Sequence, residues 1–257
     1  MARTRFVVNL APAVSTDICR WIFEFWGLEL EERLHVPVFH VLALAWYRVN
    51  NDQRPLIVDG REKVCTEEEI IAYYDPLVAE DRRLVPDDPD LRREVLALRH
   101  YFHREMRGPG VVKYSYWHLL MHMRLVWRSF TIGTPAFERV AAWMLFPLIR
   151  FALIKGLDLS EANADKGLEI VHEGFDKVDA LLADGREYLV GNRFTIADLT
   201  FAVGAAPMVL ANGYAGNLPK LGDLPRASQA IVREFRDRPA GRFCQRMYDL
   251  HRVKMSG

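Results

Sequence analysis

The sequence predicts an α+β chain of two domains, a small one with the element order β-α-β-α-β-β-α and an all-helical one after it. Short β-like runs alternate with helical patterns only up to about residue 80, and beyond it the apolar residues recur at helical spacing. A proline-rich stretch, residues 76–90, separates the two patterns. We therefore expect a first domain over residues 1–80, a linker over residues 81–88 and a helical domain over residues 89–257.

The first half of the small domain contains two strand-and-helix pairs. Residues 5–10, RFVVNL, form a strand candidate. The next residues, 17–28, place their apolar side chains on one helical face, and Gly27 is a typical helix stop. A weaker strand is expected within residues 29–36 and a second helix within residues 38–51.

The second half of the small domain contains a hairpin and a third helix. Asp59-Gly60 between two short β-branched runs is a hairpin signal. The helix is expected to begin near Thr66 and to bury three apolar residues, Ile70, Ile71 and Tyr74.

Two apolar stripes at helical spacing define the second domain. They consist of Leu91, Val95, Leu98, Phe102 and Met106, and of Leu168, Val171, Phe175, Val178 and Leu182. Between them, residues 111–159 are long, aromatic and interrupted by glycine and proline, so we expect two or three helices there.

The stretch GREYLVGNRFTIADLTFA, residues 185–202, predicts the N-terminus of a helix. The Thr195 hydroxyl is expected to accept a hydrogen bond from the backbone N–H three residues on, and the Asp198 carboxylate to accept one from the N–H of Thr195. Phe194 and Leu199 fit the hydrophobic staple that flanks such a box.

Composition excludes several classes of protein. Half of the 257 residues are apolar, enough for a sizeable core, and 34 basic residues balance 34 acidic ones. Without a single-sign field, the chain is not expected to attract nucleic acid or anionic lipid. Cys19, Cys65 and Cys244 lack CxxC spacing and suit free thiols in a reducing compartment. No signal peptide or membrane-spanning run is evident, so the expected location is the cytoplasm.

Together these segments resemble the cytosolic glutathione S-transferase superfamily. YLVGNRFTIADLTFA, residues 188–202, resembles the capping stretch of that family's central C-terminal helix. RPLIVDG, residues 54–60, resembles the segment with the family's cis-proline, and CTEEEIIAYY, residues 65–74, its Glu-Ser stretch. The ending, residues 235–252, is also similar to the closing helix of many bacterial members. The resemblance covers nearly the whole chain and implies a thioredoxin-like first domain that binds glutathione as a substrate.

Such an enzyme must activate a thiol whose unperturbed pKa is about 8.5. A hydroxyl that donates a hydrogen bond to the sulfur and a helix N-terminus aimed at it both lower that pKa. After the first strand, Ser15 and Thr16 supply two candidate hydroxyls, although both residue types also suit helix capping. In serine-type relatives the active hydroxyl lies about one turn earlier, where this chain has Ala13. Cys19 could suggest thiol exchange, but we expect it inside the helix as a buried structural cysteine.

The resemblance also implies the residues that hold the tripeptide. Pro55 is expected to follow a cis bond that turns the Arg54 backbone toward the ligand. Gln53 occupies a position that often meets the tripeptide backbone, and Arg48 or Arg54 could bind the glycyl carboxylate. The γ-glutamyl carboxylate is expected at the pair Glu67-Glu68, where relatives have Glu-Ser. Glu68 would repel it unless the side chain turns to solvent and offers only its backbone N–H.

The aromatic segment borders the hydrophobic acceptor pocket of relatives, so Tyr114, Trp117 and Met121 are candidates to line an acceptor site. Core packing is the ordinary alternative for these side chains. His118 and His122 are spaced i, i+4, but neither has a carboxylate at ligand spacing, and no metal is expected.

Two functional hypotheses remain open at the sequence level. The first is a glutathione transferase that conjugates glutathione to an apolar electrophile or uses it to reduce one. The second is a catalytically silent protein of the same fold that binds an apolar ligand or a protein partner. Ala13 and Glu68 favour the second, and Ser15 with the hairpin favours the first. The resemblance implies a homodimer in either case, with no nucleic-acid partner.

Overall fold

The computed structural model describes residues 5–252, and its first part is a mixed sheet of four strands in the order β2-β1-β3-β4. The strands are β1 (Arg5–Leu10), β2 (Glu31–His35), β3 (Leu56–Asp59) and β4 (Glu62–Cys65). β1 pairs parallel with β2, and β3 pairs antiparallel with both β1 and β4. All four predicted strands are therefore confirmed, with the β3–β4 hairpin at Gly60.

Three helices complete the predicted order: α1 (Val14–Trp26), α2 (Phe39–Trp46) and α3 (Thr66–Tyr74). α1 ends before Gly27, which has φ +70°, as the sequence predicts. It begins at Val14 rather than at Asp17, because the Ala13 N–H closes a turn on the Leu10 carbonyl (3.1 Å) directly after the strand.

The core of this domain has two parts. On one side of the sheet, Val8, Leu56 and Val58 pack with Leu44 of α2. Elsewhere α1 packs against α3 through aromatic rings, since the Tyr74 centroid lies 5.1 Å from that of Phe23 and 6.0 Å from that of Trp26. The predicted burial of Ile70, Ile71 and Tyr74 is confirmed.

In the rest of the described chain the regular elements are all helices. α4 (Pro89–His100) runs on through wider π-type turns over Tyr101–Val112, and the later helices are α5 (Lys113–Leu120), α6 (Met123–Thr131), α7 (Ala136–Met144), α8 (Phe146–Gly156), α9 (Glu161–Leu182), α10 (Ile196–Val209), α11 (Arg226–Asp237) and α12 (Pro239–His251). Within the described residues 111–159 there are thus four helices, more than the two or three expected. The additional break falls at Met121-His122, where neither glycine nor proline marks it.

The central helix of the second domain is α10, of which every residue except Pro207 is buried. The Thr195–Asp198 capping box is formed as predicted. The carboxylate accepts hydrogen bonds from the Thr195 N–H (2.8 Å), the Thr195 hydroxyl (2.7 Å) and the Leu189 N–H (2.8 Å). Of the apolar stripe on α4, Leu91 is exposed (38%), because it lies in the first turn of the helix, and the other four residues are buried.

The contacts divide the chain into two compact units. The first unit runs to Arg83 and also includes Val126–Ala152, and the second contains Leu84–Leu125 and the chain from Leu153 onward. The sequence assigns residues 126–152 to the helical domain, whereas the contacts group them with the sheet. Among the described residues no helix combines the length and apolar character needed to cross a membrane.

Candidate functional site

One edge of the sheet gathers the segments that the sequence predicts for the site. Leu10, at the end of β1, lies beside His35, at the end of the parallel strand β2. Because β3 is antiparallel, its first residue, Leu56, pairs with Val8 and with Cys65, the last residue of β4. The turns after β1 and β2, the loop before β3 and the start of α3 therefore all leave from this edge.

The loop before β3 contains the cis bond that the sequence predicts, between Arg54 and Pro55. Pro55 is buried, and its carbonyl accepts a hydrogen bond from the Thr66 N–H (3.0 Å), which ties the loop to the start of α3. Gln53 is exposed, and its side-chain oxygen accepts from the Asn50 N–H (3.1 Å) to cap a short helical turn. Arg54 is half-buried between these two residues.

The two candidate hydroxyls have different partners in the first turn of α1. The Thr16 hydroxyl is buried and donates to the Leu10 carbonyl (2.9 Å), so it closes the strand-to-helix turn. Ser15 is half-buried, and its Oγ accepts a hydrogen bond from the Asn9 side-chain amide (3.0 Å). Ser15 therefore keeps its own proton available for donation to a ligand, and Thr16 does not.

Asn9 fixes this arrangement from inside the sheet. Its side chain is fully buried at the end of β1, and its Oδ1 accepts from the Leu10 N–H (2.9 Å). Flipping the amide would set its nitrogen against that N–H, so the network assigns Nδ2 to Ser15. The sequence pattern does not single out Asn9, although a lone amide in the apolar run RFVVNL is a recognisable signal.

The same turn supplies a favourable electrostatic field. The first N–H groups of α1 have no partner within the helix, and the helix dipole favours negative charge near them. Cys19 is 1% exposed and lies inside the helix, which agrees with a structural cysteine. The arrangement can therefore stabilise an anion that Ser15 contacts, such as a thiolate.

The three consecutive acids at the start of α3 differ in burial and in hydrogen bonding. The Thr66 hydroxyl accepts from the Glu69 N–H (3.2 Å), and the Glu69 carboxylate accepts from the Cys65 N–H (3.1 Å). Glu69 thus caps the helix, as the Thr-x-x-Glu spacing indicates. The prediction from the sequence concerns only the Glu67-Glu68 pair and does not assign this role. Glu67 is buried (3% exposed), and Glu68 is half-buried.

A buried acid from α7 reaches the turn after β2. Glu138 is 2% exposed and accepts from the Val36 N–H (3.0 Å) and from Nδ1 of His35 (2.7 Å). It therefore fixes α7 to the edge of the sheet that carries Ser15 and Pro55. The sequence marks Glu138 only as the one acid in a long apolar and basic segment.

His40, in the first turn of α2, stays neutral at physiological pH. Burial, and then the positive charge of Arg54, lowers the pKa of its imidazole to about 4. Its Nε2 lies 2.9 Å from the Asn51 Oδ1 and donates to it. Arg54 is therefore the permanent cation of this group of three residues.

The acceptor candidates lie on or just after α5, in the second unit. Tyr114 lines a cavity of ≈ 50 Å³ with His118 and Pro207, and burial raises the pKa of its phenol. Trp117 is half-buried, Met121 is 40% exposed, and neither lines that cavity.

The two histidines of the i, i+4 pair do not share a helix. α5 ends at Leu120, so His118 is helical and His122 is not. No group of three or more candidate metal ligands occurs among residues 5–252.

Comparisons with known proteins support the fold. Residues 161–228 match the family model described as glutathione S-transferase, C-terminal domain. No curated protein matches the sequence. A glutathione S-transferase from Rhodospirillum rubrum F11 is 17% identical, with a TM-score of 0.57 over 94% of this chain and 91% of that one.

Two further solved structures are similar over almost the whole chain. The beta-etherase LigF from Sphingobium sp. strain SYK-6 is 16% identical, with a TM-score of 0.54 over 94% of this chain and 98% of that one. A theta class glutathione S-transferase from Xanthomonas axonopodis pv. citri, solved with glutathione bound, is 16% identical, with a TM-score of 0.50 over 93% of this chain and 95% of that one. The fold is therefore the glutathione transferase fold, and the predicted resemblance is confirmed.

Proposed function

We propose that this protein, which has the glutathione transferase fold and that family's C-terminal domain, binds glutathione at the described edge of the sheet and activates its thiol for reaction with an apolar electrophile. The main support for this proposal is the Ser15 hydroxyl, which the buried Asn9 orients at the N-terminus of α1. Its proton is available to a ligand, and the cis bond at Pro55 lies on the same edge.

Thiol activation follows from two contributions. A free thiol with a pKa of about 8.5 is mostly protonated at neutral pH, and only the thiolate is a good nucleophile. A hydrogen bond from Ser15 to the sulfur and the dipole of α1 both favour the thiolate. Thr16 has the weaker claim of the two candidates, because its hydroxyl donates to the Leu10 carbonyl.

The remaining edge residues would hold the tripeptide. The Arg54 backbone beside the cis bond would pair with the peptide, and the Arg54 or Arg48 guanidinium would bind the glycyl carboxylate. Glu67, which is buried, would accept from the γ-glutamyl ammonium group. Glu68 would leave its backbone N–H for the γ-glutamyl carboxylate. Gln53 would contribute through its amide nitrogen, since its oxygen caps the preceding turn.

The reaction would be addition of the thiolate to the electrophile, or reduction of the electrophile by glutathione. Tyr114, Trp117 and Met121 remain the candidates for the acceptor side, because aromatic and apolar side chains favour an apolar substrate. We also propose a homodimer and a cytoplasmic location. The location is supported by three buried free cysteines, which suit the reducing compartment in which glutathione is abundant.

The second candidate is a catalytically silent protein of the same fold that binds an apolar ligand or a protein. One observation favours it: Ala13, the N-cap of α1, offers no side-chain hydrogen bond at the position where serine-type relatives carry the hydroxyl. The two candidates differ in whether glutathione binds and whether its thiol becomes acidic.

Calorimetric titration with glutathione and with an S-alkyl glutathione tests the first difference. Binding of both at micromolar to low millimolar strength supports the glutathione site. Absence of heat with both ligands at several temperatures would favour the silent protein.

Ser15→Ala and Thr16→Val test the second difference. A hydrogen bond to a charged partner contributes about 1.5–3 kcal/mol, so Ser15→Ala should raise the pKa of the bound glutathione thiol by about one to two units. Thr16→Val should leave that pKa unchanged and lower only the free energy of unfolding, by about 1 kcal/mol. The thiolate absorbance of the complex as a function of pH measures both effects. An unchanged pKa in Ser15→Ala with glutathione still bound would remove Ser15 from the mechanism.

A further inference from the structure

A large apolar surface lies open on α7 and α8. Six large side chains there are each at least 60% exposed: Phe137, Val140, Trp143, Met144, Leu148 and Phe151. We call this set the α7–α8 apolar face. Single exposed apolar residues are normal on proteins, but six on two consecutive short helices mark a surface that another body covers.

The α7–α8 apolar face continues onto α2 within the same unit. The ring centroid of Phe39, the first residue of α2, lies 6.3 Å from that of Phe137. Leu42 and Trp46 of α2 are 64% and 84% exposed. Exposed tryptophans are thus present on both α2 and α7, as Trp46 and Trp143, and tryptophan is enriched at membrane–water interfaces.

Basic residues outnumber acidic ones in the segment that contains α7 and α8, although the charges of the whole chain balance. Residues 123–157 contain five basic residues and one acid. The acid, Glu138, is buried and bonded to Val36 and His35. On α7 and α8 the exposed charged side chains are therefore Arg139 and Lys155, both cationic. The overall neutrality of the sequence conceals this local field.

We propose that the α7–α8 apolar face docks onto an anionic lipid surface. Apolar and aromatic side chains on helices whose own exposed charges are cationic are what an amphipathic element needs in order to lie in the headgroup region of such a membrane. α7 has 9 residues and α8 has 11, so at about 1.5 Å per residue neither can cross a hydrocarbon core of about 30 Å. The helices lie in the interface and do not span it.

Charge also separates this occupant from a second copy of the chain. A two-fold interface presents the same patch from both subunits, so two copies joined on this face would bring the same exposed cations into one interface. Like charges in an interface oppose association, whereas anionic headgroups neutralise them. Charge therefore favours a lipid surface as the partner of this face. Self-association through the face would contradict the proposal, and the experiment below detects it.

Flotation of the full chain with lipid vesicles tests the proposal. Vesicles of phosphatidylcholine with phosphatidylglycerol should carry the protein up a density gradient at low salt, and pure phosphatidylcholine vesicles should carry much less. Leu148→Gln with Phe151→Gln should reduce the partition coefficient at least tenfold, because two exposed apolar side chains no longer enter the interface. Arg139→Gln and Lys155→Gln should each reduce it about fivefold.

The chain offers a matched control outside the face. Leu77 and Leu250 are 70% and 63% exposed, as Leu148 and Phe151 are 63% and 60%. Leu77→Gln with Leu250→Gln should therefore leave vesicle binding unchanged while removing equivalent apolar surface. Thermal unfolding and the glutathione titration should be unchanged in both double variants, which separates this proposal from the glutathione site.

Three results would overturn the proposal. The first is no flotation of the wild-type chain with either vesicle. The second is equal loss of flotation in the two double variants. The third is a wild-type dimer in sedimentation velocity that Leu148→Gln with Phe151→Gln converts to monomer, without any vesicle binding.

Discussion

At the scale of single residues, the proposed thiol activation depends on Asn9 and Ser15. Asn9 has no solvent exposure, and both polar atoms of its amide are used, Oδ1 by the Leu10 N–H and Nδ2 by Ser15. A buried amide with both ends satisfied holds one orientation, because the flipped form leaves a donor facing a donor. The direction of the Ser15 proton therefore depends on a residue that would not itself touch the ligand.

Asn9→Asp turns this dependence into a prediction. A carboxylate still accepts from the Leu10 N–H but can no longer donate to Ser15, so the Ser15 hydroxyl donates to the carboxylate instead of the bound sulfur. The thiol pKa of bound glutathione should rise at least as much as in Ser15→Ala, since a negative charge is also added nearby. The pH dependence of thiolate absorbance measures it.

Asn9→Asp combined with Ser15→Ala is the control. If Asn9 acts only through Ser15, the double variant should show the small additional rise that charge alone produces. A full second increment would mean that Asn9 affects the thiol independently of Ser15, and the positioning role would be rejected. Circular dichroism checks that each variant folds.

The sequence singles out some residues of the candidate site and not others for a physical reason. The position of Ser15 can be predicted from its neighbours along the chain, because a hydroxyl between a strand and the following helix lies at the helix N-terminus. Asn9 and Glu138 acquire their roles through tertiary contacts, because Glu138 is 102 residues from its partner Val36 along the chain. Periodicity reports which face of an element is buried and cannot report what a buried polar group meets there.

At the scale of elements, the capping box of α10 shows how a local motif becomes a core feature. Asp198 is fully buried, and burial raises the pKa of its carboxyl to about 6 although three hydrogen bonds oppose the shift. Between its unfolded pKa of about 4 and this folded value, the folded chain holds a proton that the unfolded chain has released. The free energy of unfolding therefore falls as pH rises through this window.

Asp198→Asn should remove that dependence. At any pH the amide presents its NH₂ to a donor at one of the two backbone N–H groups, so at pH 7 the variant should be less stable than wild type by about 2–3 kcal/mol. The stability difference from wild type should shrink by up to about 3 kcal/mol as pH rises from 4 to 7, because only wild type loses stability there. Urea unfolding at several pH values measures both effects.

Asp184→Asn is the control for Asp198→Asn, because it makes the same substitution at an exposed acid in the segment before α10. Asp184 is exposed, and its hydrogen bonds with Arg186 lower the pKa of its carboxyl to about 2. Its contribution is therefore present above its unfolded pKa and is lost only as pH falls below it. A stability difference for Asp198→Asn that stays constant from pH 4 to 7 would contradict the raised pKa of Asp198.

Elements were predictable wherever a stop or cap signal is local. Gly27, Asp59-Gly60 and the Thr195 box each mark a boundary that the structure has. The break at Met121-His122 has no such signal, so the sequence predicts too few helices within residues 111–159. The sequence predicts the start of α1 too late, because Ala13 and Val14 lack the polar side chain of an ordinary cap.

At the scale of the whole molecule, the two compact units do not follow the chain in order. Val126–Ala152 belongs with the sheet, and Glu138 supplies its buried polar link to the turn after β2. A change in periodicity locates where helices begin to dominate, but it carries no information on which core a later helix joins. The domain boundaries at residues 80 and 89 therefore remain predictions about the chain, and the contacts define the units.

Each unit has its own core, so each is expected to open separately, and the cysteines report on both. Cys19 and Cys244 are buried in the first and second units, and Cys65 is 9% exposed at the end of β4. Burial raises the pKa of the Cys65 and Cys244 thiols, so neither reacts readily while folded. In native buffer, Cys65 should be alkylated first, and Cys19 and Cys244 only when their own units open.

Asp198→Asn makes this expectation decisive, because Asp198 lies in the second unit with Cys244. The loss of about 2–3 kcal/mol should accelerate alkylation of Cys244 by about 30-fold to 160-fold when opening and closing are fast relative to labelling. Alkylation of Cys19 should not change, since its core contains none of the affected bonds. Peptide mass spectrometry after timed alkylation follows each thiol in one experiment. Equal acceleration of Cys19 and Cys244 would mean that the two units open as one cooperative body, and their energetic independence would be wrong.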